Sequence, residues 1–153
     1  MGHVVNRFHV DAPPERVFEL SIQAERFPEW VNTLVEVKDV SAPLDRVGAS
    51  YTGVMKIAGR RLEGRWEVTR VEKPRYLETT GTAPGGGRAT TITRLEPAGG
   101  GTDSTFELDY ELPGGFLGGA VDKLFVERAM ERDVIHSGEN LKAICEAEVL
   151  AHA

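Results

Sequence analysis

The chain is poor in the residue types that carry most recognisable chemistry. It has one cysteine, Cys145, which excludes an intramolecular disulfide framework and any cysteine-based zinc site and fits a reducing compartment. Its four histidines, at 3, 9, 136 and 152, show no ligand-like spacing, and His9 is expected to face solvent, so neither a metal centre nor another cofactor is expected. Long apolar runs are lacking, so no segment is expected to cross a membrane. The opening Met1–Arg7 has no signal-peptide stretch, and Asn6 stands where a myristoylation signal wants Ser or Thr. Positive charge is short as well. Eighteen Lys and Arg against 24 Asp and Glu leave a net charge of −6, the wrong sign for a nucleic-acid partner. No Gly-x-Ser-x-Gly occurs, and Cys145 lies near a helix C-terminus, where the dipole raises a thiol pKa, so nucleophilic catalysis is not supported.

What is present describes a globular chain. The hydrophobic share is 41% and the charged share 27%, and 153 residues fit one domain, 1–153, with a cytoplasmic setting as the expectation. Glycine is in excess: 17 of 153 residues, about 11%, against a typical share near 7%. With proline it divides the chain into short strands. Residues 3–10 alternate, with Val4, Asn6, Phe8 and Val10 on one side. Asp11-Ala12-Pro13-Pro14-Glu15 reads as a helix start with Asp11 as a possible cap, and a second short helix is expected over 24–31. Strands follow over 34–40, 49–57, from Arg61 through Val68, and over 76–81, 88–96 and 102–112. In the clearest of these, Leu62, Gly64, Trp66 and Val68 face in, while Arg61, Glu63, Arg65 and Glu67 face out. Seven strands on short Gly/Pro turns make an antiparallel meander. A long helix is then expected to about Leu150, with an apolar stripe of Leu117, Val121, Leu124, Phe125, Ile135, Leu141 and Cys145 and a bend at Gly138.

Several segments in this order carry a resemblance: Val10-Asp11-Ala12-Pro13-Pro14-Glu15-Arg16-Val17-Phe18, Phe27-Pro28-Glu29-Trp30, Gly64-Arg65-Trp66-Glu67-Val68, Gly100-Gly101-Thr102 and Glu139-Asn140-Leu141-Lys142. Together they make nearly the whole chain similar to the START-like, or helix-grip (SRPBCC), superfamily, and within it to the polyketide cyclase/dehydrase and lipid-transport group. The resemblance implies an α+β helix-grip fold, in which a seven-stranded curved antiparallel sheet and two short helices wrap a long C-terminal helix. It also implies a hydrophobic small-molecule ligand, polyketide-, lipid- or quinone-like. These segments are structural hallmarks, so three functions stay open: a cyclase- or dehydrase-like enzyme acting by substrate shaping and acid–base assistance, a carrier of a lipid or quinone, and a protein-interaction module.

A curled sheet closed over a helix cannot fill its centre with backbone, so side chains fill it or a cavity remains. Small inward residues, Gly53, Gly64, Ala89, Thr91 and Thr93, favour a cavity walled by Phe8, Tyr51, Met55, Leu62, Trp66, Val68, Phe106, Leu108 and Tyr110, although the same residues also suit an ordinary core. On the long helix Val121, Leu124, Arg128 and Ile135 align. That places Leu124 on the wall and Arg128 on the core face, unless Arg128 turns out to pair with Glu127 or Glu131. An inward Arg128 can hold a carboxylate or stabilise an enolate. Tyr51 and Tyr110 either donate to a ligand carbonyl, act as general acids, or serve as wall. Asn6 either hydrogen-bonds ligand or is a satisfied core amide, and Trp30 either braces the short helices or touches ligand. The turns at 58–59, 85–87 and 113–119 should share one end, either as mobile loops at a cavity mouth or as plain tight turns. The run Gly114–Gly119 does not match Gly-x-Gly-x-x-Gly, and no further strand completes a βαβ unit, so phosphate binding there is not expected.

Overall fold

A computed structural model describes residues 2–116 and 123–152. Strand β1 (Gly2–Val10) is followed by helix α1 (Pro14–Ile22), one 3₁₀ turn (Ala24–Arg26) and the single-turn helix α2 (Phe27–Trp30). The chain then runs up and down through β2 (Leu34–Lys38), β3 (Ser50–Ile57), β4 (Arg60–Glu72), β5 (Tyr76–Ala83), β6 (Gly87–Ala98) and β7 (Gly101–Glu111), and ends in α3 (Lys123–Ala151). The seven strands are antiparallel neighbours in the order β1-β7-β6-β5-β4-β3-β2, the α+β helix-grip arrangement expected from the sequence.

The strand alternation is as expected. Along β4, Gly64, Trp66 and Val68 are buried while Arg61, Glu63, Arg65 and Glu67 are exposed. The register of β4 against β5 shifts between Val68 and Arg70, and that of β2 against β3 between Leu34 and Glu36, irregularities that bend and twist a sheet. Strand β2 ends at Lys38, short of the expected Val40, where Asp39 takes a left-handed φ of +54°. Asp11 does not cap α1. The residue before a proline is pushed to extended backbone, so with two prolines in succession Pro13 holds the cap position, at φ −66° and ψ 154°, and the helix starts at Pro14. The Asp11 N–H donates instead to Glu146 on α3 at 2.8 Å.

The long helix is present but rotated from its expected phase. Its buried face is Val126, Ala129, Met130, Val134, Gly138, Leu141 and Cys145, whereas Leu124, Phe125 and Ile135 are 49%, 55% and 39% exposed. Leu117 and Val121 lie outside the described residues. Gly138 stays within a continuous helix and serves close approach: a Cβ there would lie 2.7 Å from Asn6 Nδ2 and 3.1 Å from a Phe8 ring carbon. The buried residues form two separate hydrophobic clusters. One holds α1, the middle of the sheet and the C-terminal half of α3; the other joins Val4, Ile57, Leu108 and Tyr110 to Val126, Met130 and Val134. Met55 and Ala89 pack against both.

Beside the Gly99-Gly100 turn, polar groups tie β1, the segment before α1, β7 and α3 together. Lys142 Nζ donates to the His9 carbonyl and to Glu146 Oε2, each at 2.7 Å. The His9 ring faces Asp103 through Nδ1 at 2.8 Å and Asp11 through Nε2 at 3.1 Å. Only the doubly protonated ring donates to both carboxylates, and the hydrogen bond to Asp103 above all raises the His9 pKa over its ordinary 6.5.

These contacts make the stability of the fold depend on pH. A raised folded-state pKa means that His9 stabilises fully below its ordinary pKa of 6.5 and that this contribution is lost as pH rises through the higher folded value. Denaturant unfolding at fixed salt should therefore show the parent losing its stability margin over His9→Gln on going from about pH 6 to about pH 9. A second expectation concerns the two-residue β3–β4 turn, where Ala58 holds φ +50° and Gly59 +82°. Asn tolerates that left-handed position better than Ala, so Ala58→Asn should raise stability by about 0.5–1 kcal/mol in the same measurement.

Candidate ligand-binding cavity

The curled sheet, α2 and the inner face of α3 line a partly open cavity of about 210 Å³ between the two hydrophobic clusters. The inward positions of β3 to β7 form its wall, because period-two alternation sends every second side chain to the concave face. Small residues make the space: Gly64, Gly81, Ala89, Thr91 and Thr93 all line it. Gly53, expected to contribute, is filled by Leu34, whose Cδ1 would lie 2.8 Å from a Cβ at that position.

Ten of the thirteen residues expected at the site line this cavity: Asn6, Phe8, Trp30, Tyr51, Met55, Leu62, Trp66, Phe106, Leu108 and Tyr110. The other three do not. Val68 is fully buried in the larger cluster, beyond the wall. Leu124 is half exposed on α3. Arg128 is exposed, because about 100° of rotation per helical residue carries a side chain two positions from Val126 and Met130 to the far side. The wall also includes Met130, Val134, Gly138 and Gly81, which the sequence reading missed. The first three recur at intervals of four, a signal hidden because glycine was not counted as part of an apolar stripe. Gly81 follows Leu77 and Thr79 at period two on β5.

Several polar groups on the wall are engaged. Ser21 donates to the Val17 carbonyl at 2.8 Å, and Thr79 and Thr91 hydrogen-bond to each other. Asp133 accepts from Asn32 Nδ2 at 2.7 Å, while Ser137 donates to the Asp133 carbonyl and accepts the Asn32 N–H, both at 2.8 Å. Arg88 and Glu111 pair at 2.9 Å near the hairpin end of the barrel. There the Gly114 N–H donates to the Gly85 carbonyl at 3.1 Å, joining two of the turns expected at the mouth. Residues 117–119 of the third turn lie outside the described residues.

Three buried side-chain polar atoms among the described residues have no partner: Trp30 Nε1, Trp66 Nε1 and the Tyr110 hydroxyl. All three side chains line the cavity. Burial pushes the Tyr51 phenol well above its ordinary pKa; burial first, and then the charge of Glu127, raise that of Tyr110. Both phenols therefore stay protonated at neutral pH and can donate, not abstract, a proton. The Cys145 thiol, pushed up to about 12 by burial, is no nucleophile. Among the described residues no group of three His, Cys, Asp or Glu side chains is placed to hold a metal ion, and no helix is long and apolar enough to cross a membrane.

Comparison with known proteins follows the same outline. Residues 1–146 match a family described as polyketide cyclase / dehydrase and lipid transport. No curated protein matches the sequence. Among solved structures, the Zhui aromatase/cyclase from a Streptomyces species superposes with a TM-score of 0.78 at 16% identity, over 96% of this chain and 94% of that one. A START superfamily protein from Mycobacterium smegmatis gives 0.76 at 15% identity over 96% and 99%, and the protein TTHA0849 from Thermus thermophilus gives 0.73 at 22% over 95% and 98%. At these identities the likeness is one of fold.

The outward position of Arg128 yields a direct prediction. Arg128→Met should leave the affinity for any cavity ligand within about twofold of the parent, as measured by titration, because surface substitutions away from a site change little.

Proposed function

The chain belongs to the polyketide cyclase/dehydrase and lipid-transport family, and we propose that it binds one compact hydrophobic molecule, polyketide-, quinone- or lipid-like, inside the curled sheet. The carrying observation is the cavity itself, lined by aromatic and aliphatic side chains and by small residues where a packed core would have large ones. At about 210 Å³ it is smaller than the roughly 300–1,000 Å³ of pockets for drug-sized ligands. That suits a fused-ring or single-chain occupant and not a two-chain lipid.

Binding is the better-supported role. A general base needs a free carboxylate or imidazole at the reacting atom, and the described carboxylates on the wall are engaged, Asp133 with Asn32 and Glu111 with Arg88. A cyclase-like enzyme on this frame would act by shaping its substrate and excluding water, with Tyr51 and Tyr110 as protonated donors. The cavity counts against a pure interaction module, which has no use for unfilled interior. The free, buried Cys145 supports a cytoplasmic setting.

The test fills the space without disturbing the fold. A Cβ at Gly64 would meet Met55 Cε and the Thr82 carbonyl at 3.4 Å, ordinary contact distances. Valine also suits a strand better than glycine. Gly64→Val should keep or raise the thermal midpoint while weakening saturable binding of fluorene about tenfold, since an overfilled wall excludes the ligand. Equal affinity in the two proteins, or no saturable binding in the parent, would overturn the reading.

A further inference from the structure

We propose that Trp66 is the hydrogen-bond anchor of the cavity: its indole N–H donates to an oxygen of the bound molecule, and Gly81 is the positioning residue that lays the ring in place. The inference rests on the ligand-binding reading above and narrows the occupant to an apolar ring compound bearing a carbonyl or ether oxygen.

Trp66 is 9% exposed, and its Nε1 is buried without a partner. Buried N–H groups in folded proteins are nearly always hydrogen-bonded, and each exception asks for a reason. Here the surroundings supply one. Across the sheet, Tyr51, Trp66, Gly81, Ala89 and Tyr110 stand in one row, each directly opposite the next on the neighbouring strand. In that row the indole lies flat over Gly81: a Cβ there would come within 2.7 Å of Cδ2 and Cε3 and 2.8 Å of Cε2. On the other side the Tyr51 ring runs nearly parallel, at 11° and 6.4 Å between centroids.

The six-membered ring is thus fixed from two sides. The pyrrole edge points the other way, with Nε1 3.7 Å from where a Gly64 Cβ would be. Gly64, Gly81 and Ala89 all line the open space and offer no side-chain acceptor. A wall that pins the six-membered ring and sets the indole N–H beside Gly64, which offers no side-chain acceptor, leaves that donor to the occupant. Its complement is an acceptor oxygen, because an ammonium or amide N–H would present donor to donor.

Fluorene and 9-fluorenone share one tricyclic frame and differ by a carbonyl, which makes them suitable probes. Fluorenone is expected to bind the parent about tenfold more tightly than fluorene, the worth of one hydrogen bond that satisfies a buried donor. Trp66→Phe should remove that margin, so that the two probes bind it equally, whereas Trp30→Phe and Tyr110→Phe should retain the margin. Gly81→Ala, which displaces the ring, should shrink the margin and shift the Trp66 indole N–H resonance of the free protein. In the parent, fluorenone but not fluorene should move that resonance downfield; the chain has two tryptophans, and Trp30→Phe assigns them. Equal affinity for the two probes, or a margin that survives Trp66→Phe, overturns the anchor while leaving the ligand-binding reading intact. Failure of both probes to bind overturns that reading itself.

Discussion

The architecture depends on how closely α3 can lie against β1. A sheet of seven strands curls into a grip only if its first strand meets the helix, and the meeting is made where Gly138 faces Asn6 and Phe8. A Cβ on that residue would press on the Asn6 amide at 2.7 Å and on the Phe8 ring at 3.1 Å. With the glycine there the rotation of the helix is set, and the rest follows by helical geometry. Met130, Val134 and Leu141 turn toward the cavity, Val126 and Cys145 pack into the two clusters beside it, and Arg128 is carried to the surface. The lower half of α3 is then fastened by Lys142 and Glu146 to the backbone at His9 and Asp11.

The parts legible in the sequence were those governed by a strict local period. Strands show a repeat of two, each hairpin has its Gly or Pro turn, and from these the sheet and most of its inner face could be read. The phase of α3 could not, because large apolar side chains occur on both flanks of the helix: Phe125 and Ile135 on one, Met130 and Val134 on the other. The choice between them is made by β1, more than a hundred residues away in the chain. The start of α1 was legible but its cap was not, since Asp11 is a good cap by type and two prolines hold it outside the helix. The existence of a cavity was legible from small inward residues. Which donors it leaves unpaired was not, because that depends on where each ring lies.

Chemically the interior is a one-sided environment. It has unpaired hydrogen to give, from the two indoles and the Tyr110 phenol. Low dielectric strengthens each such donor toward a suitable acceptor and penalises it when left alone. The same desolvation that makes Tyr51 and Tyr110 poor acids makes them dependable donors, so selectivity is a more natural product of this site than proton transfer.

The two hydrophobic clusters have a further consequence, for the history of such a chain more than for its present chemistry. Stability is vested in residues on either side of the cavity, and one part of its lining is a wall of small residues, among them Gly64, Gly81, Ala89, Thr91 and Thr93. Substitutions on that wall remove little packing, so they can alter what is bound while the fold stays above its stability threshold. A frame organised in this way can drift from one ligand to another by small steps, which is a physical route to wide divergence of sequence on a shared fold.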